Sequence, residues 1–585
     1  MLFQPSVVEV VELCCLVREL DRLIGAVEEE PKLMLELDIR NVDLGSDGLE
    51  PFFWPVSFAR QKRFNDRVHF GFADLLREAV QQDQHGAREL LAIYHILLPQ
   101  VFSAFAWELL RHGVEAEGLA VPVPPPDTHR QWASLATNSP NEPSFFFDWL
   151  GKGFPPRNLQ HYLSKFRLGL ARRLRPATPA KQECPTGPCI DFDNGLARIR
   201  KRKRLGGYAA DEIIVTKRSG LIRRHAEATG ADCRYEPHTK FFRPVTERDL
   251  AGVPQRVVDA DLRVAIAELI EKAFVAEGGF ALPPHVREGF EAAMVFGLGL
   301  AHVHMLRLRG AVRGCPAELW TGSAGNIWDR MLRIEMLDRG ARVCGHDHAG
   351  GVNYMQDPGA YLMELSACSQ YVTFSEAQAR AVRDKSRDLG LFQPRHPDIL
   401  GLPPAGERSV LPLSRQGKGK RIMYMGGLYR SDMCYFYPSL HDRVMVDFEA
   451  RLFARLKNLG YEIIFKAHPE NPIAPSNVFR TMPGLSFRTE PFEEVAHEAD
   501  IVLFSNAATT TFNLTMGTDL PMALVDFGQW PWIPEAYADM SARCAVVPGH
   551  MAENNRLECE WDDLGAALER APSMRLERAF LDHWL

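Results

Sequence analysis

The sequence has no long uninterrupted apolar run. The nearest, residues 293–308, contains His302 and His304, whereas a membrane-crossing helix needs about 20 apolar residues in succession. The apolar start of the chain carries Glu9 and Glu12, while a secretory leader has an uncharged core. We therefore expect a cytoplasmic protein without a membrane-spanning helix, at most peripheral on the inner face of the cytoplasmic membrane.

Cysteine and net positive charge are also scarce. The 585 residues include 11 cysteines, an odd number that suits a reducing compartment. Cys184 and Cys189 form a lone pair without a second pair at metal-finger spacing, so no zinc finger is expected. With 68 Lys+Arg against 75 Asp+Glu, the net charge is -7, which is unlike a protein that coats nucleic acid. Nucleic acid is therefore not an expected partner.

Over the first 210 residues, apolar spacing and composition predict helices followed by an irregular insertion. Apolar spacing predicts a helix over residues 6–27 and one or two buried helices over 88–111, with a break at Pro99. Residues 126–210 are rich in proline and arginine, with the basic stretch 167–204 ending in RIRKRKR. This stretch is either a solvated surface insertion or a patch for an anionic glycan, a phospholipid surface or a lipid-linked acceptor.

From about residue 210, strands and helices alternate, which predicts mostly parallel sheets with helices on both faces. Residues 401–420 are rich in proline and glycine and separate two such units. The predicted parts are a helical or α/β part (1–125), the insertion (126–210), a first Rossmann-like domain (211–400), the linker (401–420) and a second Rossmann-like domain (421–585). A last helix is predicted over 562–584. Ligands of such sheets bind beyond the carboxyl ends of the strands.

The strongest motif is Lys466-Ala467-His468-Pro469-Glu470, which follows a buried strand. The proline ends the strand and holds the imidazole at the sheet edge. His468 could then donate to a phosphate oxygen or protonate a leaving group. The alternative is a capping or core histidine.

A second polar loop follows the strand at 501–505. Ser505 and Asn506, then Thr509, Thr510 and Thr511, lead into a helix. Hydroxyls and backbone N–H groups at a helix start can bind a phosphate or carboxylate, although a plain Ser/Thr cap is common.

The same unit has two further candidate features, one after a strand and one at the start of a helix. Gly426 and Gly427 allow the backbone to approach a ligand, and Arg430 could hold an anionic group. Glu493 opens a helix from which it could reach a ribose or base.

On these motifs, the second unit resembles bacterial GT-B glycosyltransferases with an His-Pro motif and a Ser/Thr motif, which include capsule polysialyltransferases and the Kdo and nonulosonate transferases. The resemblance covers His468, Pro469, Ser505, Asn506 and Thr509–Thr511. It implies that the histidine contacts the donor phosphate, that the Ser/Thr motif binds phosphate or the sugar carboxylate, and that the donor is a CMP-linked acidic sugar. Asn506 stands where the family often has a second hydroxyl residue.

The first unit would then hold the acceptor and a general base. Residues 344–351 read Cys-Gly-His-Asp-His-Ala-Gly-Gly, an approximate match to the family's His-Gly turn. An inverting transfer needs a base for the acceptor hydroxyl, and the candidates are Asp347, His346 and His348. Two histidines one residue apart share a strand face, but a third clustered ligand is missing, so no metal site is expected. The alternative is a polar strand end with satisfied histidines.

The expected protein is therefore a GT-B enzyme with two doubly wound domains facing a cleft, which transfers an acidic sugar to a surface glycan, lipid-linked or flagellin acceptor. A nucleotide sugar is the expected ligand, with no other obligatory cofactor. Two alternatives stay open. The wall teichoic acid glycerophosphotransferases, which use CDP-glycerol, also resemble this unit, and a non-catalytic relic would bind only a glycan or a partner protein.

Overall fold

The structure is a computed structural model. It describes residues 35–120, 212–217, 219–236, 240–242, 245, 249, 259–347, 352–393, 395–403, 410–413, 420–429, 440–468, 471 and 473–585. The helix expected at 6–27, the insertion at 126–210 with its basic stretch, and the pair Cys184 and Cys189 lie outside the described residues.

The described chain begins with a helical layer. Helix α1 (Phe58–Gln81) packs against α2 (Ala87–Ala116), where the rings of Phe64 and Phe105 stack at 3.8 Å. The break expected at Pro99 does not occur, because α2 runs through this proline as one helix whose apolar window is wholly buried. Its burial on all sides stabilises the helix enough to accommodate the missing N–H.

Two helices are long and apolar enough to cross a membrane by length and composition, although the sequence predicted none. They are Ala87–Ala116 and Pro284–Gly314, whose apolar windows are 100% and 56% buried. The apolar window of Ala87–Ala116 is therefore packed as a core helix is, whereas that of Pro284–Gly314 is packed over little more than half of its residues.

The first sheet has six parallel strands in the order β2-β1-β3-β4-β5-β6. Its strands are β1 (Ile213–Val215), β2 (Cys233–Tyr235), β3 (Glu318–Thr321), β4 (Arg342–His346), β5 (Gln370–Thr373) and β6 (Asp398–Gly401). The helices that follow α2 up to the end of this sheet are α3 (Gly220–Thr229), α4 (Ala260–Ala273), α5 (Pro284–Ala311), α6 (Ile327–Asp338), α7 (Pro358–Leu365) and α8 (Glu376–Ser386).

The second sheet has seven strands in the order β13-β12-β11-β10-β7-β8-β9, parallel except for β13. Its strands are β7 (Arg421–Met425), β8 (Glu462–Lys466), β9 (Leu485–Arg488), β10 (Ile501–Phe504), β11 (Met522–Asp526), β12 (Ala545–Met551) and β13 (Leu557–Cys559). The helices around it are α9 (Asp442–Asn458), α10 (Pro475–Val478), α11 (Phe492–Val495), α12 (Thr510–Met516), α13 (Pro534–Arg543), α14 (Trp561–Met574) and α15 (Ala579–Trp584). The central strands are continuous buried apolar runs, as in sheets covered on both faces. The mixed α/β architecture with two parallel sheets agrees with the sequence prediction.

Some elements differ from their predicted form. Strand β6 ends at Gly401, where the linker was expected to begin, and it completes the first sheet beside β5. Farther along the linker, Leu411 forms a parallel bridge with Thr518 of the second unit. The last helix, predicted as one, is two helices, α14 and α15.

Both ends of the described chain cross between the two units. The segment before α1 packs on the second unit, where the Leu49 N–H donates to Asp447 Oδ1 at 2.8 Å and Trp54 stacks on His441. Helix α15 returns to the first unit, where Gln378 Nε2 donates to the Trp584 carbonyl at 2.7 Å. These crossings fasten the two units together.

Candidate functional site

The turn after β7 lies at the carboxyl edge of the second sheet and consists of two glycines, so that its backbone is not covered by side chains. The Gly426 N–H donates to the Lys466 carbonyl at 3.1 Å, and a side chain at Gly426 would collide with the Phe465 ring. A Cβ on Gly427 would meet open space. Asn471 holds the turn, because its Oδ1 accepts from the Tyr429 N–H at 2.6 Å. The predicted ligand Arg430 lies outside the described residues.

The structure places His468 two residues after the end of β8, partly exposed, with its carbonyl accepting from the Asn471 N–H at 3.1 Å. Pro469 lies outside the described residues. Lys466 is buried, and its Nζ donates to the Ala467 carbonyl at 2.7 Å rather than toward solvent. Burial lowers the pKa of Lys466, opposed by the carboxylates of Glu490 and the exposed Glu493.

Ser505 directly follows β10 and contacts a buried hydrogen-bonded group. Its Oγ lies 2.7 Å from the Tyr424 hydroxyl, which donates to Glu449 Oε1 at 2.9 Å. The Tyr429 hydroxyl donates to the other oxygen of the same carboxyl group. Burial raises the pKa of Glu449 to about 8, so this carboxyl is protonated at neutral pH, and its O–H then donates to one of the two tyrosine oxygens in place of the bond accepted from it. The hydrogen bond to Tyr424 therefore holds the Ser505 hydroxyl and limits its freedom to turn toward a ligand.

The loop after Ser505 uses part of its polar groups for its own shape. Asn506 Oδ1 accepts from the Ala508 N–H at 2.8 Å and from Trp530 Nε1 at 3.0 Å. Thr509 caps α12, because its side chain accepts from the Phe512 N–H at 3.1 Å. In this described loop, the hydroxyls of two other predicted residues have no hydrogen-bond partner and are left for a ligand: Thr510 and Thr511.

The sheet order sets the spacing between the predicted motifs. Because β7 lies between β8 and β10, and neighbouring strands are about 4.8 Å apart, the strand ends before His468 and Ser505 are separated by about 10 Å. Gly426 and Gly427 lie between them. A ligand that touches both motifs must therefore span the glycine turn, as a nucleotide with its phosphate could.

On the first sheet, the prediction that His346 serves as a base needs correction. The ring is 0% exposed and lies among core residues, with its Nδ1 3.1 Å from the Thr321 carbonyl. Strand alternation is the physical reason, because His346 ends β4 on the face that α3 covers. Asp347 follows it, is 2% exposed, and accepts from Asn353 Nδ2 at 2.7 Å. His348 lies outside the described residues.

The carboxyl-edge loops of the two sheets touch each other. The Tyr354 hydroxyl donates to Asn513 Oδ1 at 2.7 Å, and the Tyr354 ring stacks on Trp532 at 5.1 Å. Next to this contact, the Gln356 N–H donates to the Pro531 carbonyl at 2.5 Å. These bonds join the loop after β4 to the loop after β11 and to α12.

A cavity of about 130 Å³ lies beside this contact, between α1 and the two loops. Its lining includes polar and aromatic side chains, among them Lys62, Asn65, Asp66, His69, Asp357 and Trp530. Asn65 is 3% exposed, and both polar atoms of its side chain lack a hydrogen-bond partner. Unsatisfied buried amides are costly, so a ligand with hydroxyl groups would be favourable here.

Sequence reasoning did not single out this cavity. The residues that line it come from three distant segments, and no local motif links them. A comparison of the chain with protein-family models and with curated proteins found no match in either.

Proposed function

We propose that the chain is an inverting glycosyltransferase of the GT-B type that uses a CMP-linked acidic sugar as its donor. The observation that carries this proposal is the contact between the carboxyl-edge loops of two parallel sheets, with a polar cavity beside it. In open α/β sheets this edge is where ligands bind. The choice of sugar and nucleotide depends on the motif resemblance of the second unit.

The donor would lie across the edge of the second sheet. At Gly427 the turn faces open space, so the donor can approach the backbone there, and the hydroxyls of Thr510 and Thr511 can donate to its phosphate. His468, on the opposite side of the turn, can donate a proton or a hydrogen bond to the phosphate as it leaves. Donors positioned before the reaction stabilise the charge that develops on a leaving group.

The acceptor would occupy the cavity beside Trp530. Asp347 does not line this cavity and is 2% exposed, whereas Asp66 lines it, with a side chain that is 48% exposed and pairs with Lys62 at 2.8 Å. We therefore assign the general base to Asp66. The acceptor oxygen attacks the anomeric carbon and loses its proton to Asp66, while the bond from that carbon to the phosphate oxygen breaks and the nucleotide leaves with the electron pair.

Calorimetric titration of the full chain with CMP, CDP and UDP tests the proposal. We expect one nucleotide to bind at one equivalent, and His468→Ala to weaken it about tenfold, which corresponds to the loss of a hydrogen bond to a charged group. His497→Ala, an exposed histidine of the same unit, is the matched control and should bind as the wild type does. Absence of nucleotide binding by the wild type would refute the donor assignment.

Product analysis then identifies the reaction. Incubation with a CMP-linked acidic sugar and a mixed glycan acceptor should release CMP and extend the glycan. Transfer from CDP-glycerol instead would identify the phosphotransferase alternative, and nucleotide binding without turnover would favour the non-catalytic one.

A further inference from the structure

Two imidazoles and a thiol meet in the interior of the first unit, away from the cleft. Cys344 and His346 occupy alternate positions of β4 and therefore share one face of the sheet. His225 approaches them from α3. All three residues are buried, and one possible ligand atom from each lies within 4.8 Å of the others.

The individual distances are close to those of a metal centre. His225 Nδ1 lies 2.9 Å from His346 Nε2, and Cys344 Sγ lies 3.9 Å from the same Nε2. Zinc bonds of about 2.0–2.1 Å to nitrogen and 2.3 Å to sulfur place tetrahedral ligand atoms roughly 3.3–3.7 Å from one another. Small ring and side-chain rotations would therefore bring the three atoms to coordination distance.

The surroundings prepare His346 to act as a ligand. Its Nδ1 lies 3.1 Å from the Thr321 carbonyl, so the Nδ1–H donates there and the lone pair of Nε2 points to His225 and Cys344. Metal-bound histidines commonly donate their second N–H to a backbone carbonyl in this way. The His225 ring is held by stacking on Trp320 at 4.1 Å.

We propose that His225, Cys344 and His346 form a buried zinc site with two nitrogen ligands, one sulfur ligand and a fourth position for water. A mixed imidazole and thiolate set favours zinc over magnesium or calcium, which prefer oxygen ligands. The site would connect α3 to β4, the strand directly before Asp347, and so fix the carboxyl edge of the first sheet. The site is independent of the proposed transfer reaction.

Protonation states agree with this assignment. Burial lowers the pKa of His346 to about 3 and that of His225 to about 4, so both imidazoles are neutral and can ligate. Burial raises the pKa of the Cys344 thiol. Zinc must therefore displace the thiol proton, and each ion bound through this thiolate releases that one proton to solvent.

The nearby charged groups are few and of mixed sign. The positive charges of Arg333 and Arg342 lower the pKa values of residues in the cluster, and the negative charge of Glu318 raises that of Cys344. The two guanidinium groups disfavour a bare divalent cation. The thiolate formed on binding compensates part of that repulsion, which makes Cys344 the ligand on which affinity depends most.

Metal analysis and cobalt substitution of the full chain test the site. After chelation and desalting, we expect the wild type to bind one equivalent of Zn²⁺ and, with Co²⁺, to show thiolate-to-cobalt charge-transfer absorption. Cys344→Ser should abolish that absorption and weaken zinc binding about a hundredfold or more. Cys559→Ser removes a buried free thiol on β13 of the second sheet, and it should behave as the wild type does.

A second variant keeps the test decisive if Cys344→Ser does not fold. His225→Gln should retain the charge-transfer band, because the thiolate stays, but it should weaken zinc binding. A wild-type chain that binds no stoichiometric zinc and shows no charge-transfer band would overturn the proposal. In that case the two histidines are simply a hydrogen-bonded core pair. Nucleotide binding, measured separately, distinguishes this failure from a failure of the proposed function.

Discussion

The indole Nε1 of Trp530 donates a hydrogen bond of 3.0 Å to the Asn506 side-chain oxygen. Trp530 also lines the cavity between the two units, whereas Asn506 begins the loop that carries the free threonine hydroxyls. Trp530 therefore belongs to the proposed acceptor cavity and also shapes the proposed donor loop. This bond couples the two halves of the candidate site.

Trp530→Phe removes the donor of this bond and keeps most of the aromatic surface. Because one hydrogen bond contributes about 0.5–1.5 kcal/mol, we expect nucleotide affinity to fall about three- to tenfold, with little change in thermal stability. Trp561→Phe is the matched control, because its Nε1 donates to Glu558 at 3.1 Å away from the cleft. Equal affinities in both variants would show that the loop does not depend on Trp530. Calorimetry with the best nucleotide gives the comparison.

Asp66→Asn removes the proposed base and keeps the size of the side chain. General base catalysis contributes about 10²–10⁴-fold, so we expect turnover to fall at least about a hundredfold, while nucleotide affinity is retained. Asp74→Asn is the control, because Asp74 lies on the same helix and pairs with Arg77 at 2.9 Å in the same way. If Asp347→Asn abolishes turnover and Asp66→Asn does not, the base is Asp347 as the sequence suggested.

Asp447 fastens the segment before α1 to the second unit. This carboxylate is 0% exposed, accepts from the Leu49 N–H, and pairs with Arg451 at 2.9 Å and Arg556 at 3.0 Å. Gly48 has a φ of +83°, and any side chain there would collide with Asp447. The glycine is therefore required for the close approach of the two segments.

Asp447→Ala leaves the two guanidinium groups without their shared partner. Breaking a buried ion pair costs about 3–5 kcal/mol, so we expect a decrease of this size in the free energy of unfolding, measured with urea. The control is Asp562→Ala, whose fully exposed carboxylate pairs with Arg455. This surface pair should contribute little. A small effect of Asp447→Ala would mean that the arginines find other partners.

Local sequence patterns were sufficient for most strands of the two sheets. Strand β8 and strand β11 lie at the predicted residues, because buried parallel strands are continuous apolar runs bounded by turn residues. Strand β6 was missed since Asp398–Gly401 is short, follows prolines and becomes a strand only by pairing with β5. Pairing with a distant partner is a tertiary effect that local propensity does not contain.

The candidate site was predictable only where a motif follows a strand. The sequence indicated Ser505 and Gly426 because they follow apolar runs, and both lie at the carboxyl edge of the sheet. The sequence could not indicate Asn65 or His225, since each is a single polar residue on an amphipathic helix. Their partners are supplied by chain segments far away in the sequence, and only the fold brings these together.

Glu449 makes stability depend on pH in a direction opposite to that of ordinary carboxylates. Its pKa is raised to about 8 in the folded chain, while the unfolded value is near 4.5. Between these values the folded state keeps a proton that the unfolded state releases. The contribution of this group to stability is therefore present below about pH 4.5 and is lost as the pH rises toward 8, by up to about 1.4 kcal/mol per pH unit.

Glu449→Gln removes this titration and can keep the hydrogen bonds to Tyr424 and Tyr429, because an amide both accepts and donates. We expect the free energy of unfolding of the variant, relative to the wild type, to rise between pH 5 and pH 8. Other titrating groups, such as His69 and His441 with pKa values of about 3, act equally in both proteins. Urea titrations at three pH values measure the difference. A constant difference would show that Glu449 is already ionised at neutral pH, and Ser505 would then rest on a charged carboxylate.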